Sequence, residues 1–371
     1  IKAYIKEEKE LDRLRRVGKE YINANMKLVK IWGAFFPIVM LFSNLSMALV
    51  IFLGGSQVIL GIITPGDFVA FNSYLGLLTW PMMAIGWVTN VIQRGRASLD
   101  RIVKILEVKP EIYDSPYVKK NFSIKGKIEL KSLSFSYPQN NNKVLKNINF
   151  IINKGESIGI VGPIGCGKTT LSNLLLRVLE PEYGQIFIDG EEIHRIPLNI
   201  LRKSISYVPQ NDFLFSSTIK ENIMFGNINA SDDEIIRLVN LVRLADEIHK
   251  FPDGIDTVIG ERGITLSGGQ KQRISLARAL LIPSQIFIMD DALSSVDTFT
   301  EEKILEGIRP ILDTKTTIII SHRLSSIKHA DRIYVLENGQ IVEEGKHEEL
   351  MIKRGIYYNI YLKQQIETGL E

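Results

Sequence analysis

The stretch that decides the fold of this chain is Gly162-Pro163-Ile164-Gly165-Cys166-Gly167-Lys168-Thr169. It has the spacing G-x-x-x-x-G-K-[ST] of a phosphate-binding P-loop, and it lies between a predicted strand, residues 157–161, and a predicted helix, residues 170–177. Its glycines let backbone N–H groups curl around phosphate oxygens, and the helix N-terminus adds partial positive charge. We therefore predict a nucleoside triphosphate site formed by residues Gly162, Pro163, Ile164, Gly165, Cys166, Gly167, Lys168, Thr169 and Thr170, with Thr169 as a Mg²⁺ ligand.

The size and composition of the chain limit the kind of protein it can be. Its 371 residues are too many for one compact core and suggest two or more units. A net charge of +3 gives no case for nucleic acid as a partner. The single cysteine, Cys166, excludes an intrachain disulfide and is compatible with a reducing cytosol. Because the chain begins with Ile1 rather than Met, we expect a fragment of a longer protein.

Two long segments carry no charged residue, residues 31–66 and residues 68–93. A helix needs about 20 apolar residues to span a bilayer, so we predict two transmembrane helices at about residues 31–60 and 68–93, with a turn at 61–66. A buried helical hairpin of a soluble protein is the alternative. Lys and Arg residues flank both segments and are absent from the turn, so the positive-inside rule places both ends in the cytoplasm.

The remaining boundaries follow from composition and periodicity. Residues 1–30 are predicted to form a cytoplasmic helical extension, and residues 94–105 continue the second span into the cytoplasm. Residues 106–125 are predicted to be a linker. Residues 126–371 are predicted to be one nucleotide-binding domain: a β-rich start, an α/β core and a helical stretch over 212–282, followed by strands near 286–289, 317–320 and 332–336.

Several polar residues follow predicted strands of this domain. Asp290 ends the apolar strand 286–290, and a strand parallel to the P-loop strand would bring it beside Mg²⁺. Gln210 closes the predicted strand 204–210 and is a candidate to bind Mg²⁺ or water. His322, directly after residues 316–321, ends another predicted strand and is a candidate to hydrogen-bond a γ-phosphate. Tyr137 offers an aromatic face on which adenine can stack.

A second predicted anion site is Leu266-Ser267-Gly268-Gly269-Gln270, directly before a helical pattern. Ser267 and the two glycines would sit at the helix N-terminus, where a hydroxyl and free N–H groups can bind phosphate.

Taken together, these motifs resemble the nucleotide-binding domain of ABC transporters. The P-loop, the glutamine loop at Gln210, the signature motif 266–270, the Walker B strand ending at Asp290, the D-loop Ser294-Ser295-Val296-Asp297 and the switch His322 occur in family order. Tyr137 matches the A-loop aromatic, and Gly260-Glu261-Arg262-Gly263 is similar to the X-loop of exporters.

The resemblance implies the architecture of an ABC exporter half-transporter. We expect a membrane α-helical segment fused to an α/β P-loop NTPase domain with an antiparallel β subdomain and a helical subdomain. The two spans would be the fifth and sixth of the family, and residues 1–10 would be the remnant of its second coupling helix.

The resemblance also implies a function. Two chains would form a head-to-tail dimer that sandwiches ATP and Mg²⁺ between the P-loop of one chain and the signature motif of the other. The chain would then be a multi-pass protein of the plasma or inner membrane with a cytoplasmic ATPase domain. Its cargo would be hydrophobic small molecules, drugs or lipids.

One residue departs from the family pattern. The position directly after the Walker B aspartate, where the family has a glutamate as general base, is Asp291. Aspartate is one methylene shorter, so its carboxylate stops roughly 1.5 Å short of the attacking water. A misplacement of about 1 Å can cost on the order of 10²-fold in rate. We therefore expect catalysis to involve Asp291, His322 and Gln210 but to be slow at this site, as in a heterodimer whose partner carries the glutamate.

Alternatives remain open from sequence. A homodimer could hydrolyse ATP slowly through Asp291, and an ATP-gated channel or regulatory subunit would carry the same domain. A soluble ABC ATPase of the translation or DNA-repair kind disagrees with the uncharged segments. Cys166 is expected to be a small residue tolerated in the loop; a thiolate tuned by Lys168 and the helix N-terminus is the other possibility.

Overall fold

The computed structural model describes residues 1–119, 121–138, 142–260 and 266–369. The chain divides into two compact units, residues 1–109 and residues 110–371.

The first unit consists of two long helices, α1 (Glu7–Ile59) and α2 (Pro65–Leu106), after a short 3₁₀ turn at Lys2–Tyr4. Both are long and apolar enough, by length and composition, to cross a membrane. They extend beyond the predicted spans because the charged flanks continue the same helices. Thr64 forms a capping box with Asp67, and Pro65 occupies the first helical position. Helix α2 therefore begins inside the segment that the sequence predicted as a turn.

The second unit contains two sheets. A four-stranded antiparallel sheet has the order β2-β1-β4-β5, and a six-stranded sheet has the order β10-β9-β3-β8-β7-β6. In the larger sheet, β9, β3, β8, β7 and β6 are parallel, and β10 pairs antiparallel with β9 at the edge. The strands are β1 (Ile128–Phe135), β2 (Leu145–Ile152), β3 (Ser157–Val161), β4 (Ile186–Ile188), β5 (Glu191–Glu192), β6 (Ile205–Val208), β7 (Ile286–Asp290), β8 (Thr316–Ile320), β9 (Arg332–Glu337) and β10 (Gln340–Gly345).

The helices of this unit lie between and after the strands. They are α3 (Lys168–Leu175), α4 (Leu198–Lys203), α5 (Ile219–Met224), α6 (Asp232–Leu241), α7 (Ala245–Ile248), α8 (Gly268–Leu280), α9 (Thr298–Leu312), α10 (Leu324–Ile327), α11 (His347–Lys353) and α12 (Ile356–Gly369). The predicted helix 170–177 begins two residues earlier, at Lys168, and ends at Leu175. Arg177, two residues later, adopts a left-handed conformation with φ 46°, which does not continue a helix. The helical stretch predicted over 212–282 is broken into the short helices α5, α6 and α7 before α8.

Three hydrophobic clusters hold the second unit together. One joins the antiparallel sheet to β3 and α3, a second surrounds α8 in the helical part of the domain, and a third lies under α10, α11 and α12. Strands β3, β7 and β8 are almost completely buried, as expected for the centre of a parallel sheet. The predicted α/β domain with an antiparallel β part and a helical part is therefore confirmed.

Candidate nucleotide-binding site

The carboxyl ends of four parallel strands meet at one edge of the large sheet, which is where ligands bind in open α/β folds. The P-loop follows β3 at Gly162, Asp290 ends β7, and Gln210 and His322 lie two residues beyond β6 and β8. The predicted parallel relation between the strands of the P-loop and of Asp290 is confirmed, since both pair in parallel with β8.

A side chain at either of two P-loop glycines would force the neighbouring backbone or side chain to shift. A Cβ atom on Gly162 would lie 2.0 Å from the carbonyl oxygen of Leu336, and one on Gly167 would lie 2.7 Å from Leu145 Cδ2. Gly167 also has φ 108° and forms the N-cap of α3. The loop is therefore shaped by close backbone approach, while Ile164 at its tip is 91% exposed.

Lys168 lies on the inner side of this loop and is only 6% exposed. Its ammonium donates hydrogen bonds to the carbonyl oxygens of Gly162, at 2.8 Å, and Pro163, at 2.9 Å. The loop thus holds the positive charge against its own backbone, and Lys168 is itself the first residue of α3. This arrangement is suited to phosphate oxygens.

Cys166 is buried beside Lys168, with Sγ 3.7 Å from Nζ. Burial raises the pKa of the Cys166 thiol, and the Lys168 charge lowers it by less. This direction argues against a thiolate at Cys166, because desolvation of the sulfur outweighs the nearby charge.

Asp290 has the environment of a cation ligand. It is 1% exposed, and burial raises the pKa of its carboxyl group, while hydrogen bonding with Thr169 lowers it. Its Oδ2 lies 3.4 Å from Ser172 Oγ, whereas Oδ1 has no hydrogen-bond partner among the residues that the structure describes. A buried carboxylate oxygen without a partner is costly unless a cation compensates it. The oxygen atoms of Asp290 and Thr169 fit Mg²⁺, which prefers such ligands.

The side chain of Asp291 points toward the segment of residues 321–324, which we call the histidine turn. Its Oδ1 accepts a hydrogen bond from the His322 N–H at 2.9 Å, and its Oδ2 lies 3.2 Å from His322 Nε2. The Gln210 side chain donates to the same Oδ2 at 3.4 Å. The structure therefore joins Asp291, His322 and Gln210, and it places the Gln210 amide on Asp291 rather than on Asp290. Both oxygens of Asp291 already have protein partners.

Tyr137 lies beside the first turn of α3. Its hydroxyl group is 3.1 Å from Thr170 Oγ1, its ring packs edge-on against Phe135, and it is partly exposed. This position leaves an aromatic face next to the P-loop helix.

The signature segment forms the start of α8, as predicted. Ser267 is the N-cap, in a capping box with Gln270, and it is exposed while Leu266 is buried. Where the structure describes both segments, no hydrogen bond joins residues 266–270 to residues 162–169. The segment instead contacts the D-loop of its own chain, since a Cβ atom on Gly268 would lie 3.2 Å from Ser295 Cβ.

The D-loop leads into α9. Asp297 is the N-cap of α9 and accepts a hydrogen bond from the Thr300 N–H at 2.9 Å, which lowers the pKa of Asp297. The X-loop resemblance falls mostly on residues 261–263, which lie outside the described residues.

Sequence reasoning missed a connection between the D-loop and the histidine turn. The Arg323 guanidinium donates to the carbonyl oxygens of Ser294, at 3.0 Å, and Val296, at 2.7 Å. It also pairs with the buried carboxylate of Glu301 at 2.5 Å. The only signal in the sequence is an arginine directly after His322, and nothing there names its partners.

Comparison with known proteins agrees with this geometry. The chain matches the ABC transporter family model over residues 145–294 and the model of the ABC transporter transmembrane region over residues 1–82. A probable multidrug resistance ABC transporter ATP-binding/permease protein of Bacillus subtilis is 41% identical over 371 residues, which is all of this chain and 63% of the relative. The multidrug resistance-like ATP-binding protein MdlA of Buchnera aphidicola is 43% identical over 99% of this chain and 64% of the relative.

Two further matches extend the comparison. The ATP-dependent lipid A-core flippase of Desulfotalea psychrophila is 40% identical over 98% of this chain and 63% of the relative. A solved structure of a bacterial Atm1-family ABC exporter with ATP bound superposes with a TM-score of 0.86 at 33% identity, covering 98% of this chain and 64% of that one. This chain thus spans a little under two thirds of the length of these proteins. Residues 1–82 are therefore similar to an ABC transporter transmembrane region, residues 145–294 match the ABC transporter family model, and the chain as a whole is similar to multidrug-type ABC exporters.

Proposed function

We propose that this chain is the ATP-binding and ATP-hydrolysing subunit of an ABC exporter, with its helical segment in the plasma or inner membrane and its nucleotide-binding domain in the cytoplasm. The observation that carries the proposal is the meeting of Lys168, Thr169 and a buried oxygen of Asp290 at one sheet edge, an oxygen that no group in the described part of the chain hydrogen-bonds. A positive charge inside a cradle of N–H groups, beside an uncompensated carboxylate, suits a triphosphate together with its metal ion.

The roles of the residues follow from their positions. The P-loop N–H groups and Lys168 hold the phosphates, and Tyr137 stacks on the base. Thr169 and Asp290 hold Mg²⁺, which neutralises phosphate charge when bound. His322 hydrogen-bonds the γ-phosphate, and Gln210 helps to orient the attacking water.

A partner chain completes the site in this proposal. Ser267 is exposed at the N-terminus of α8 and has no hydrogen bond to its own P-loop in the described residues, which suits phosphate binding in another chain. Asp291 is short and already bonded to His322 and Gln210, which suits slow hydrolysis. We therefore favour a heterodimer whose second chain carries a glutamate at this position.

The cargo is proposed from the relatives alone. Their names describe multidrug resistance proteins and a lipid A-core flippase, so hydrophobic small molecules, drugs or lipids, are the proposed class. ATP-driven closure of the dimer would switch the membrane segment between an inward-facing and an outward-facing state.

Nucleotide binding is tested by titrating the purified protein with a fluorescent ATP analogue. Lys168→Ala should weaken binding by at least about 10-fold, since a charge-assisted phosphate contact is lost. Lys154→Ala removes an exposed lysine before β3 and should bind like the wild type. Equal affinity of the Lys168→Ala protein and the wild type would end the proposal.

The heterodimer is tested by measuring ATPase activity of this chain alone and with the polypeptide that co-purifies with it. We expect turnover only in the mixed complex. Vigorous turnover by this chain alone would replace the heterodimer with a homodimer.

A further inference from the structure

The last helix of the chain is fixed firmly to the sheet that carries the nucleotide site. Tyr357, in the first turn of α12, is completely buried in a cluster with Val161 of β3, Ile319 of β8 and Leu324 of α10. The N-terminus of α12 is capped by Glu343, whose carboxylate accepts hydrogen bonds from the N–H groups of Ile356 and Tyr357. The first turn of helix α12 is therefore anchored to the sheet.

Two turns farther along, Gln364 reaches the histidine turn. Its Oε1 accepts a hydrogen bond from the Leu324 N–H at 3.0 Å, and its Nε2 donates one to the His322 carbonyl oxygen. One side-chain amide thus bonds to the backbone on both sides of Arg323. Only a side chain with both a donor and an acceptor can make this pair of bonds, and Asn would be one methylene too short.

The backbone of His322 is consequently held from two sides. Its N–H donates to Asp291 Oδ1 at 2.9 Å, and its C=O accepts from Gln364. A switch histidine that contacts a γ-phosphate must be placed within a fraction of an ångström, because catalytic rate falls steeply with misplacement. The β8 strand ends at Ile320, and the Ser321 N–H still donates to the Ile160 carbonyl oxygen of β3 at 3.2 Å, so His322 is the next residue beyond this bond to the sheet.

We propose that Gln364 is a positioning residue for His322, and that helix α12 thereby sets the geometry of ATP hydrolysis from outside the site. This inference rests on the proposed function, in which His322 contacts the γ-phosphate. Gln364 itself does not touch nucleotide in this account and acts only through the backbone of the histidine turn.

The test uses the full transporter as purified, with single-turnover ATP hydrolysis and ATP affinity measured separately. Gln364→Ala should lower the hydrolysis rate by about 10-fold while ATP affinity and melting temperature stay close to the wild type. Gln365→Ala is the matched control, because Gln365 is the next residue of the same helix and is exposed. In a His322→Ala background, Gln364→Ala should cause no further loss, since both changes act through one side chain.

A second variant separates positioning from folding. Gln364→Glu keeps the size and the acceptor for the Leu324 N–H but loses the donor to the His322 carbonyl. It should be slow at pH 8, and its rate relative to the wild type measured at the same pH should rise as pH falls toward the ordinary Glu pKa of about 4.3, because a protonated carboxyl group regains a donor. A purely structural role would give no such pH-dependent recovery.

The outcomes are distinguishable. If Gln364→Ala hydrolyses ATP within twofold of the Gln365→Ala control while His322→Ala is much slower, the inference fails and the proposed function stands. If His322→Ala itself matches the wild type, the proposed role of His322 fails and the inference fails with it.

Discussion

Asp291 shows how one methylene group changes the environment of a catalytic position. The residue is buried, adopts φ 48°, and its N–H donates to the Ile320 carbonyl oxygen. The backbone therefore fixes where the side chain starts, and a short side chain ends among the partners nearest to it, His322 and Gln210. A side chain one methylene longer would project its carboxylate beyond them.

This gives a prediction for Asp291→Glu. The single-turnover hydrolysis rate at this chain's site should rise by 10-fold or more, because the carboxylate moves roughly 1.5 Å toward the attacking water. Asp291→Asn, which keeps the length and loses the base, should be slower than the wild type. A Glu variant that is folded, binds ATP and is no faster would contradict the geometric argument.

Asp212 predicts a pH dependence of stability. Burial raises the pKa of its carboxyl group to about 6, against smaller opposing effects of Ser275 and Arg278, and within the described ranges its Oδ1 has no hydrogen-bond partner. Because this pKa lies above the value of about 3.9 in the unfolded chain, the folded state binds more protons between those values. The contribution of Asp212 to stability therefore falls as pH rises through that window and is least favourable above about pH 6.

Replacement of Asp212 by Asn should consequently raise the melting temperature by a few degrees at pH 7.5, and the gain should shrink toward pH 4. Thermal unfolding across this range in detergent measures it. Asp233→Asn, a change at an exposed aspartate of α6, is the control for loss of one negative charge. A stabilisation that is the same at all pH values would show that ionisation of Asp212 is not its cause.

Residue types at the site were predictable, but their partners were not. Lys168, Asp290 and His322 follow from motif spacing, because a P-loop and the ends of parallel strands meet at one edge. The bonds of Arg323 to Ser294 and Val296 depend on tertiary contacts across the domain. No local pattern encodes them.

At the scale of elements, α8 combines stability with presentation of the signature segment. The capping box of Ser267 and Gln270 satisfies N–H groups at the helix start. The same box occurs at α6, where Ser231 bonds to the Glu234 N–H. One cap is part of the proposed phosphate site and the other is not.

Ser267→Ala and Ser231→Ala should therefore differ in function and not in stability. Each should lose about 1 kcal/mol of helix stability. Only Ser267→Ala should also weaken ATP-dependent dimer closure, because it removes a hydroxyl group that contacts phosphate in the partner's site. The yield of chemically crosslinked dimer in the presence of ATP measures closure. Equal yields for both variants would contradict a role of Ser267 beyond the helix cap.

Element boundaries were predicted best where the pattern is strongest. The buried strands near β3, β7 and β8 were located within a residue or so, since central parallel strands are continuous apolar runs. Helix α2 starts earlier than predicted because the cap at Thr64 overrides the turn signal of Gly66. The stretch before α8 was predicted only as helical, because its short helices depend on packing around a shared core.

At the scale of the whole chain, the surface of the first unit suits a lipid environment, whereas that of the second unit suits water. Large apolar side chains of α1 and α2 are exposed along their length, while the apolar residues of the second unit form cores. The distribution of Lys and Arg predicts that the turn between α1 and α2 faces the outside of the cell.

Cysteine labelling tests that orientation, and the chain is convenient for it because Cys166 is buried. In a Cys166→Ala background, Ile62→Cys in the exposed turn should react with a membrane-impermeant maleimide in intact cells, whereas Asn25→Cys should react only after lysis. Labelling of position 25 in intact cells would invert the orientation.

The guanidinium of Arg323 links the histidine turn, the D-loop carbonyls and Glu301 of α9. In the proposed head-to-tail dimer, His322 would contact the ATP bound to its own chain. The D-loop would lie next to the ATP bound to the partner chain. Because the Arg323 guanidinium bonds to both segments, it would couple the two ATP sites directly. ATP bound at the slow site would then influence the rate at the fast site through the nucleotide-binding domains alone, without the membrane segments.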